Sequence, residues 1–310
     1  MVSCIAVRSR AKALVLALAL LACVAAACTP DFQVGAVVVD LRVLAVRADP
    51  PEAFVDLQKG TVASVTAHVL VADPNAGGQD ATVNAALCFP TDTLLCDPGS
   101  PALPQTVAGV GDIALPPISI PAALVAAALQ NDQLKGLGGV RVQLALSVAT
   151  RDPNGPVKAE KTLLYSDSQT PNHNPTVAGL LLTQDGTATM TLAPGQTLAL
   201  PVGQAVGLRP SLPCADDAPG GCAGGEEHYT AIDFHGNAVA LREEIAWAFF
   251  STAGASLDRD SADEPLPELQ QSQDGLVRIS AQAAGRGTFW VVGRDGRGGI
   301  GWLVVPWTAQ

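Results

Sequence analysis

Four groups of residues in this chain have types and spacings that could do chemistry. The densest is acidic: Asp258, Asp260, Asp263 and Glu264 stand in the loop SLDRDSADEP, and oxygen ligands at alternating positions suit calcium. Ala262 occupies the place of a third EF-hand ligand, and no glycine follows at the required bend. A solvated acidic loop is therefore the favoured reading, with a weak calcium site as its alternative. The second group is imidazole. His228 and His235 flank a strand-like run and could converge with Glu226 or Glu227 on a metal, although a surface role at a sheet edge is favoured. His68 and His173 stand apart, on an outward strand face and in a polar connector. The third group is thiol: Cys88 and Cys96 bracket FPTDTLL, and Cys214 and Cys222 bracket ADDAPGG. A four-thiolate zinc site normally uses pairs separated by only two to four residues, so two local disulfides are expected. The fourth is Gly296-Arg297-Gly298-Gly299-Ile300-Gly301, a literal G-x-G-x-x-G. A dinucleotide site needs a helix after this motif and an acidic residue about 20 positions on. Nine residues follow Gly301, so the segment reads as a glycine-rich hairpin turn. H-E-x-x-H, G-x-S-x-G and Walker motifs are missing. No catalytic residue and no cofactor is nominated, and a Ser-His-Asp set assembled across loops would leave no local trace.

A fifth reactive side chain, Cys28, stands at the end of an apolar run. Arg8, Arg10 and Lys12 form a cationic start, and Ala13 to Val24 is uncharged Ala, Leu and Val with one Cys. This is the pattern of a secretory signal peptide. A run of about a dozen residues is too short to span a hydrocarbon core, which takes roughly 20 in helix. Ala25-Ala26-Ala27 before Cys28 and Leu20-Leu21-Ala22 before Cys23 both resemble the lipobox of bacterial lipoprotein signals. Removal of residues 1–27 leaves Cys28 and four further cysteines, an even set for pairing. Cys28 is accordingly the expected lipidation site and Cys23 the alternative. Two or three acyl chains would anchor stably, at roughly 0.8 kcal/mol per buried methylene. Thr29 after the cysteine, in place of Asp, favours the outer membrane over the inner.

The whole chain carries a formal net charge of −11 from 18 basic and 29 acidic residues. The expected cleavage removes three cations and no anions, so the remainder is more acidic still. Nucleic acid is excluded as a partner on charge, and no basic patch draws the chain to anionic lipid. Contact with a membrane is expected only through acyl chains on Cys28.

The elements that must position these groups are strands. Val65, Ala67, Val69 and Val71 alternate with Ser64, Thr66, His68 and Leu70; Val140 to Ala149 repeats the pattern. Period two is the mark of a half-buried strand. Further runs at Val39 to Val46, Val83 to Phe89 and Val157 to Tyr165 complete a first β-sandwich over 37–166, behind a tether at 28–36. One helix interrupts it. Pro121 opens a run whose Leu124, Val125, Ala128 and Leu129 share a stripe, and Gly136 closes it. The polar stretch DSQTPNHNPT at 167–176 reads as a linker. A second sandwich over 177–310 has strand-like runs at Val177 to Leu182, Ala188 to Leu192, Leu198 to Val202, Tyr229 to Phe234, Ile245 to Phe249, Val277 to Ala281, Phe289 to Val292 and Ile300 to Val305. All four tryptophans lie in it, and aromatic core is the favoured reading over a glycan platform.

The segment DLRVLAVRADPPE from Asp40, GLGGVRVQLALSVATRDPNG from Gly136, Glu243 to Asp258 and TFWVVGRDGRGGIGW from Thr288 resemble segments of Gram-negative lipoproteins without assigned chemistry. The last two look like sheet-forming pieces of an immunoglobulin-like or polycystic-kidney-disease-like domain. The resemblance implies that Trp247, Arg294, Asp295, Arg297, Gly298 and Gly299 are scaffold. It carries no activity, because folds of this class host many functions.

The sequence thus predicts an all-β protein: two immunoglobulin-like β-sandwich domains in tandem, one short helix in the first, preceded by a lipoprotein signal peptide. It is expected to be exported and membrane-anchored, at the periplasmic or outer surface of the cell envelope. The expected role is non-enzymatic: structure, adhesion or assembly, with another envelope protein or a surface polymer as partner. A calcium- or glycan-binding surface protein is the first alternative, and an envelope hydrolase the second.

Overall fold

The computed structural model describes residues 35–310, apart from 78, 90–95, 97–101, 110, 133–134, 152–153, 169, 185–186, 215–220, 233–234 and 263–274. The expected signal peptide and Cys23 and Cys28 lie outside the described residues. The chain is nearly all strand, as its alternating pattern dictates. Strand β1 is Val37–Val38. The first sandwich follows with β2 (Arg42–Asp49), β3 (Glu52–Asp56), β4 (Thr61–Val62), β5 (Thr66–Ala72), β6 (Ala81–Cys88), β7 (Ala102–Gly109) and β8 (Asp112–Ala114). Helix α1 (Ala122–Asn131) then leads to β9 (Val140–Ala149) and β10 (Val157–Ser166). One sheet orders β2-β5-β8 and the facing sheet β4-β3-β10-β9-β6-β7.

The switch between these sheets is written in Pro50-Pro51, which lack the N–H groups a ladder needs. Strand β2 stops at Asp49, and the chain re-enters on the opposite sheet as β3, parallel to β10. The resulting order, A-B-E against A′-G-F-C-C′, is that of an immunoglobulin sandwich. Its core comprises Val69, Val83, Val142, Leu144, Leu163 and Tyr165, with Val125 and Ala128 of α1 added at the edge. Pro121 is the N-cap rather than the first helical residue, and the helix ends at Asn131, short of Gly136. The side chain of Asp132 accepts the Gly136 N–H instead, closing a separate turn.

The second sandwich comprises β11 (Gly179–Gln184), β12 (Thr187–Leu192), β13 (Leu198–Leu200), β14 (Ala205–Ser211), β15 (His228–Ile232) and β16 (Ala238–Arg242). It continues with β17 (Ala246–Thr252), β18 (Ala255–Leu257), β19 (Ser261–Ala262), β20 (Val277–Ala281), β21 (Gly285–Arg294) and β22 (Ile300–Ala309). One sheet runs β12-β11-β14-β20-β18 and the other β17-β21-β22-β13, with β19 on β17 and β15-β16 as a separate hairpin. This is again the immunoglobulin order, A-B-E-D facing C-F-G. Phe249 and Phe289 stack at 6.2 Å in its core beside Trp247 and Trp307.

Strand β1 departs from the sequence reading. Val37 and Val38, grouped there with the first sandwich, pair in parallel with Ser251 and Thr252 of β17 and so extend the second sandwich's sheet. Ala36 and Val38 are fully buried. The residues at 35 and 36, expected to be free tether, are fixed by the Arg42 guanidinium on the Gly35 carbonyl and the Ser251 N–H on that of Ala36.

A second departure concerns the outward face of β5. Leu70, expected on a largely wet face, is 0 % exposed. It joins Val38, Leu44, Ala45 and Ala72 in an apolar seam against Trp290 and Val292 of β21, flanked by Ala248, Phe250, Ile300 and Trp302. A bulge between Val43 and Ala45 makes Leu44 the extra residue of β2, where it and Ala45 both contribute to the seam. The two sandwiches thereby belong to one compact unit, Gly35–Gln310.

If the seam is a true interior, Leu70→Ala lowers stability by about 2–5 kcal/mol, as at any core leucine. A solvent-facing position would cost within about 0.5 kcal/mol; urea unfolding of the two proteins separates the outcomes.

Candidate functional site

Beside the apolar seam lies a polar cluster organised by the turn between β21 and β22. Asp295 is 4 % exposed. One carboxylate oxygen accepts the N–H groups of Arg297 (2.8 Å) and Gly299 (2.9 Å), the side-chain-to-backbone bonding that makes Asp a turn former. Gly298 sits at φ 108°, a conformation side-chain-bearing residues avoid. The other oxygen accepts the side-chain amide of Asn172 at 2.9 Å. The turn therefore projects Arg297 along a fixed direction.

Arg297 meets three carboxylates. It donates to Glu243 at 2.8 Å and to Glu52 at 3.2 Å, and lies 3.6 Å from Glu227. Its guanidinium stacks 4.3 Å from the centre of the Tyr229 ring. Glu52 belongs to β3 of the first sandwich, while Glu227, Glu243 and Arg297 belong to the second. Glu52 also accepts the Asn172 N–H (2.8 Å) and the Ser166 hydroxyl (2.5 Å). Glu227 bonds His173 at 2.6 Å. Lys161, on β10, donates to the carbonyl of Gly298 across the junction.

The connector at 167–176 is part of this cluster rather than a loose linker. Asn172 is 2 % exposed. Asn174 donates to the Ala48 carbonyl at 2.7 Å and accepts the Ile300 N–H at 3.0 Å, bridging the sandwiches. A Cβ on Gly301 would lie 1.8 Å from the Pro175 carbonyl oxygen, so only glycine lets the connector press onto β22. Two further bridges cross the seam's rim: Arg47 lies 4.5 Å over the Trp302 ring, and Arg294 donates to the Leu44 carbonyl.

Burial biases the ionisation of this cluster. The Lys161 ammonium is pushed down to about 8, first by desolvation and then by the Arg294 cation, with Asp295 opposing. Glu243 is pushed up to about 7, first by desolvation and further by the Asp295 and Glu227 carboxylates, against the N–H of Glu227 and the Arg297 guanidinium. Chemically the arrangement is a buried charge lattice whose proton content changes near neutrality.

The residues singled out from sequence are distributed differently. Cys88–Cys96 and Cys214–Cys222 are both disulfides. Asp258 spends its carboxylate on Arg278, accepting its backbone N–H at 2.7 Å and its guanidinium at 3.3 Å. The Asp260 carboxylate faces the adjacent Ser261 hydroxyl; Asp263 and Glu264 lie outside the described residues. Glu226 pairs with Arg242, and Glu227 serves His173 and Arg297. His68 pairs with Asp112 at 3.0 Å. Among the described residues no three His, Cys, Asp or Glu side chains group to hold a metal ion. A shallow open depression of about 520 Å³ lies between Gln79, Asp80, Thr82, Ala149, Thr150 and Arg151, away from the cluster.

Sequence reading passed over Glu52, Lys161, Asn172 and Glu243. Lys161 alone left a signal: it falls in phase with Leu163 and Tyr165, on the buried parity of β10.

Two substitutions test the cluster. Arg297→Met strands Glu52 and Glu243 without their cation and costs about 3–5 kcal/mol, read by urea unfolding at pH 7. For Lys161 the folded value lies below the unfolded one, so the penalty is complete below pH 8 and relieved as pH rises toward 10.5. Lys161→Met is therefore more stable than wild type by about 2 kcal/mol at pH 7, and the advantage shrinks between pH 8 and 10.5.

No protein-family model matches the chain and no curated protein is similar to it. Among solved structures, the D0-D1 domain of intimin aligns over 86 % of this chain and 98 % of its own length, at 12 % identity and a TM-score of 0.21. The tandem immunoglobulin repeats of Dlar align over 88 % and 99 %, at 10 % identity and 0.23. The Yersinia pseudotuberculosis adhesin InvE aligns over 85 % and 58 %, at 10 % identity and 0.21. The strand order of the two sandwiches, not these superpositions, assigns the immunoglobulin-like fold.

Proposed function

We propose that this chain is an exported, lipid-anchored cell-envelope protein with a non-enzymatic structural, adhesion or assembly role. The observation that carries the proposal is the joining of two immunoglobulin-like sandwiches into one unit by the apolar seam and the Arg297 cluster. A unit built this way holds its surfaces in a fixed relation, which suits presentation to a partner. The two disulfides support export, because such bonds persist in oxidising compartments. The lipobox-like Ala25-Ala26-Ala27-Cys28 supports acylation, and Thr29 supports delivery to the outer membrane.

Two observations favour this reading over a glycan- or calcium-binding role. Three of the four tryptophans are under a tenth exposed and Trp302 is covered by Arg47, which leaves no exposed indole platform for a glycan. Asp258, the first ligand of a calcium loop, is bonded to Arg278. The partner under the proposal is a protein or polymer of the envelope.

Metabolic labelling with an alkyne fatty acid tests the anchor. Wild type and Cys23→Ala take the label, and Cys28→Ala loses it and accumulates as the unprocessed precursor. Equal labelling of Cys28→Ala and wild type overturns the assignment.

A further inference from the structure

We propose that the junction between the sandwiches is a proton-responsive clamp, in which Glu243 takes up a solvent proton and so strengthens the pair that Arg297 already makes with Glu52 across the junction. This inference does not depend on the anchor or on any envelope role, though a protein outside the cytosol would meet the external pH directly.

The geometry supplies the reason. Four carboxylates meet here: Glu52 from β3, Glu227 from the segment before β15, Glu243 from the segment before β17, and Asp295 from the β21–β22 turn. Three cations face them: Arg294 and Arg297 from the turn, and Lys161 from β10, whose ammonium is pushed down to about 8 and so keeps its proton at neutral pH and below. His173, on the connector, bonds Glu227 and is the fourth titratable base. Without a proton on Glu243 or His173, the lattice carries one uncompensated negative charge around the buried Glu243 and Asp295. A low-dielectric site does not tolerate such an excess, and the least supported carboxylate takes up a proton.

That carboxylate is Glu243. Its side chain is 1 % exposed, against 9 % for Glu52 and 12 % for Glu227. Asp295 accepts two backbone N–H groups and the Asn172 amide. Glu52 receives an N–H, a hydroxyl and a guanidinium; Glu227 has both His173 and Arg297. Glu243 receives one backbone N–H, at 3.1 Å, and its share of Arg297, while facing two other anions. Burial and those anions raise its affinity for the proton to about pH 7. Once neutral it attracts the guanidinium less. Arg297 then belongs mainly to Glu52, the one carboxylate of its three partners on the first sandwich, and the clamp tightens.

The sign follows from linkage. Folded Glu243 holds its proton to a higher pH than unfolded Glu243, so its contribution to stability is complete below pH 4.5 and lost as pH rises through 7. Glu243→Gln keeps the neutral form at every pH. Its melting temperature should match wild type at pH 4.5, exceed it increasingly up to pH 7, and stay about 5 °C higher from pH 7 to 8. Glu52→Gln should cost more at pH 5.5 than at pH 8 in wild type, and the same at both in the Glu243→Gln background. A Glu243→Gln effect that is independent of pH, or a loss of stability at pH 8, overturns the proposal. So does a pH dependence abolished by His173→Gln and untouched by Glu243→Gln. Wild type gives a check that needs no variant: unfolding at pH 6, followed by calorimetry in buffers of different ionisation enthalpy, should release roughly one proton. Net proton uptake there also overturns it.

Discussion

The contact on which this architecture depends is apolar and lies between sheets that sequence periodicity alone would leave half solvated. A β-sandwich buries one face of each sheet. Here the outer face of β2 and β5 meets the outer face of β21, flanked by partly buried residues of β17 and of the start of β22, so that β2, β5 and β21 are covered on both sides where they meet. Leu44, Leu70, Trp290 and Val292 are each 6 % exposed or less. At roughly 1.5–3 kcal/mol for each fully buried large side chain, a handful of such residues outweighs any net gain from the ion pairs at the rim. Buried ion pairs commonly return little once desolvation is counted. The seam supplies the adhesion, and the polar cluster selects one orientation out of those that adhesion alone would allow.

The same seam creates the chemistry of the cluster. Water excluded from between the sheets is also excluded from Lys161 and Glu243, and desolvation is the largest influence on both. Their shifts run in opposite directions for one reason: each charged form has lost its hydration. The turn that presents Arg297 is rigid because Asp295 bonds its backbone, and it must be rigid, since a guanidinium free to swing would not discriminate between Glu52, Glu227 and Glu243. A motif with the outline of a phosphate-binding loop is thus a device for aiming one cation. Its glycines serve the positive φ at Gly298 and the close approach of the connector at Gly301.

Much of this was legible in the residues, and the limits have physical causes. Strands β9 and β20 keep the bounds of the sequence pattern, because alternate residues are core and the others, Gln143 excepted, are at least partly exposed. Strand β14 was passed over because Gly207 and Pro210 interrupt its apolar run; Gly207 is required by the approach of Thr183, whose hydroxyl would lie 2.2 Å from an added Cβ. The seam was present as the unbroken runs Val43-Leu44-Ala45-Val46 and Phe289-Trp290-Val291-Val292, whose lack of alternation signals burial on both faces. Which surfaces cover them is a tertiary fact that period-two reasoning does not carry. The cluster was the least visible part. Glu52, Asn172, Glu243 and Arg297 are scattered over some 245 positions, and no local spacing marks residues that meet only when two sandwiches dock. The polarity of 167–176 suggests a solvated segment, whereas Asn172 and Asn174 bond partners within the fold.

Strand β1 joins the fold to its proposed setting. The chain enters the folded unit on the edge of β17, in the second sandwich, and only then builds the first. Arg42, at the start of β2, grips the carbonyl of Gly35, while Ser251 of β17 holds that of Ala36. The entering segment is therefore bonded to both sandwiches at residues 35 and 36, and Val38 is itself part of the seam. Under the proposed anchoring at Cys28, tension on the tether would load the seam and both sheets together rather than peel the first sandwich away from the second. Two sandwiches joined by a flexible linker would be two independent modules. This connectivity makes one, whose sandwiches meet at Leu70 and Trp290 and are bridged at the rim by the carboxylates that share Arg297.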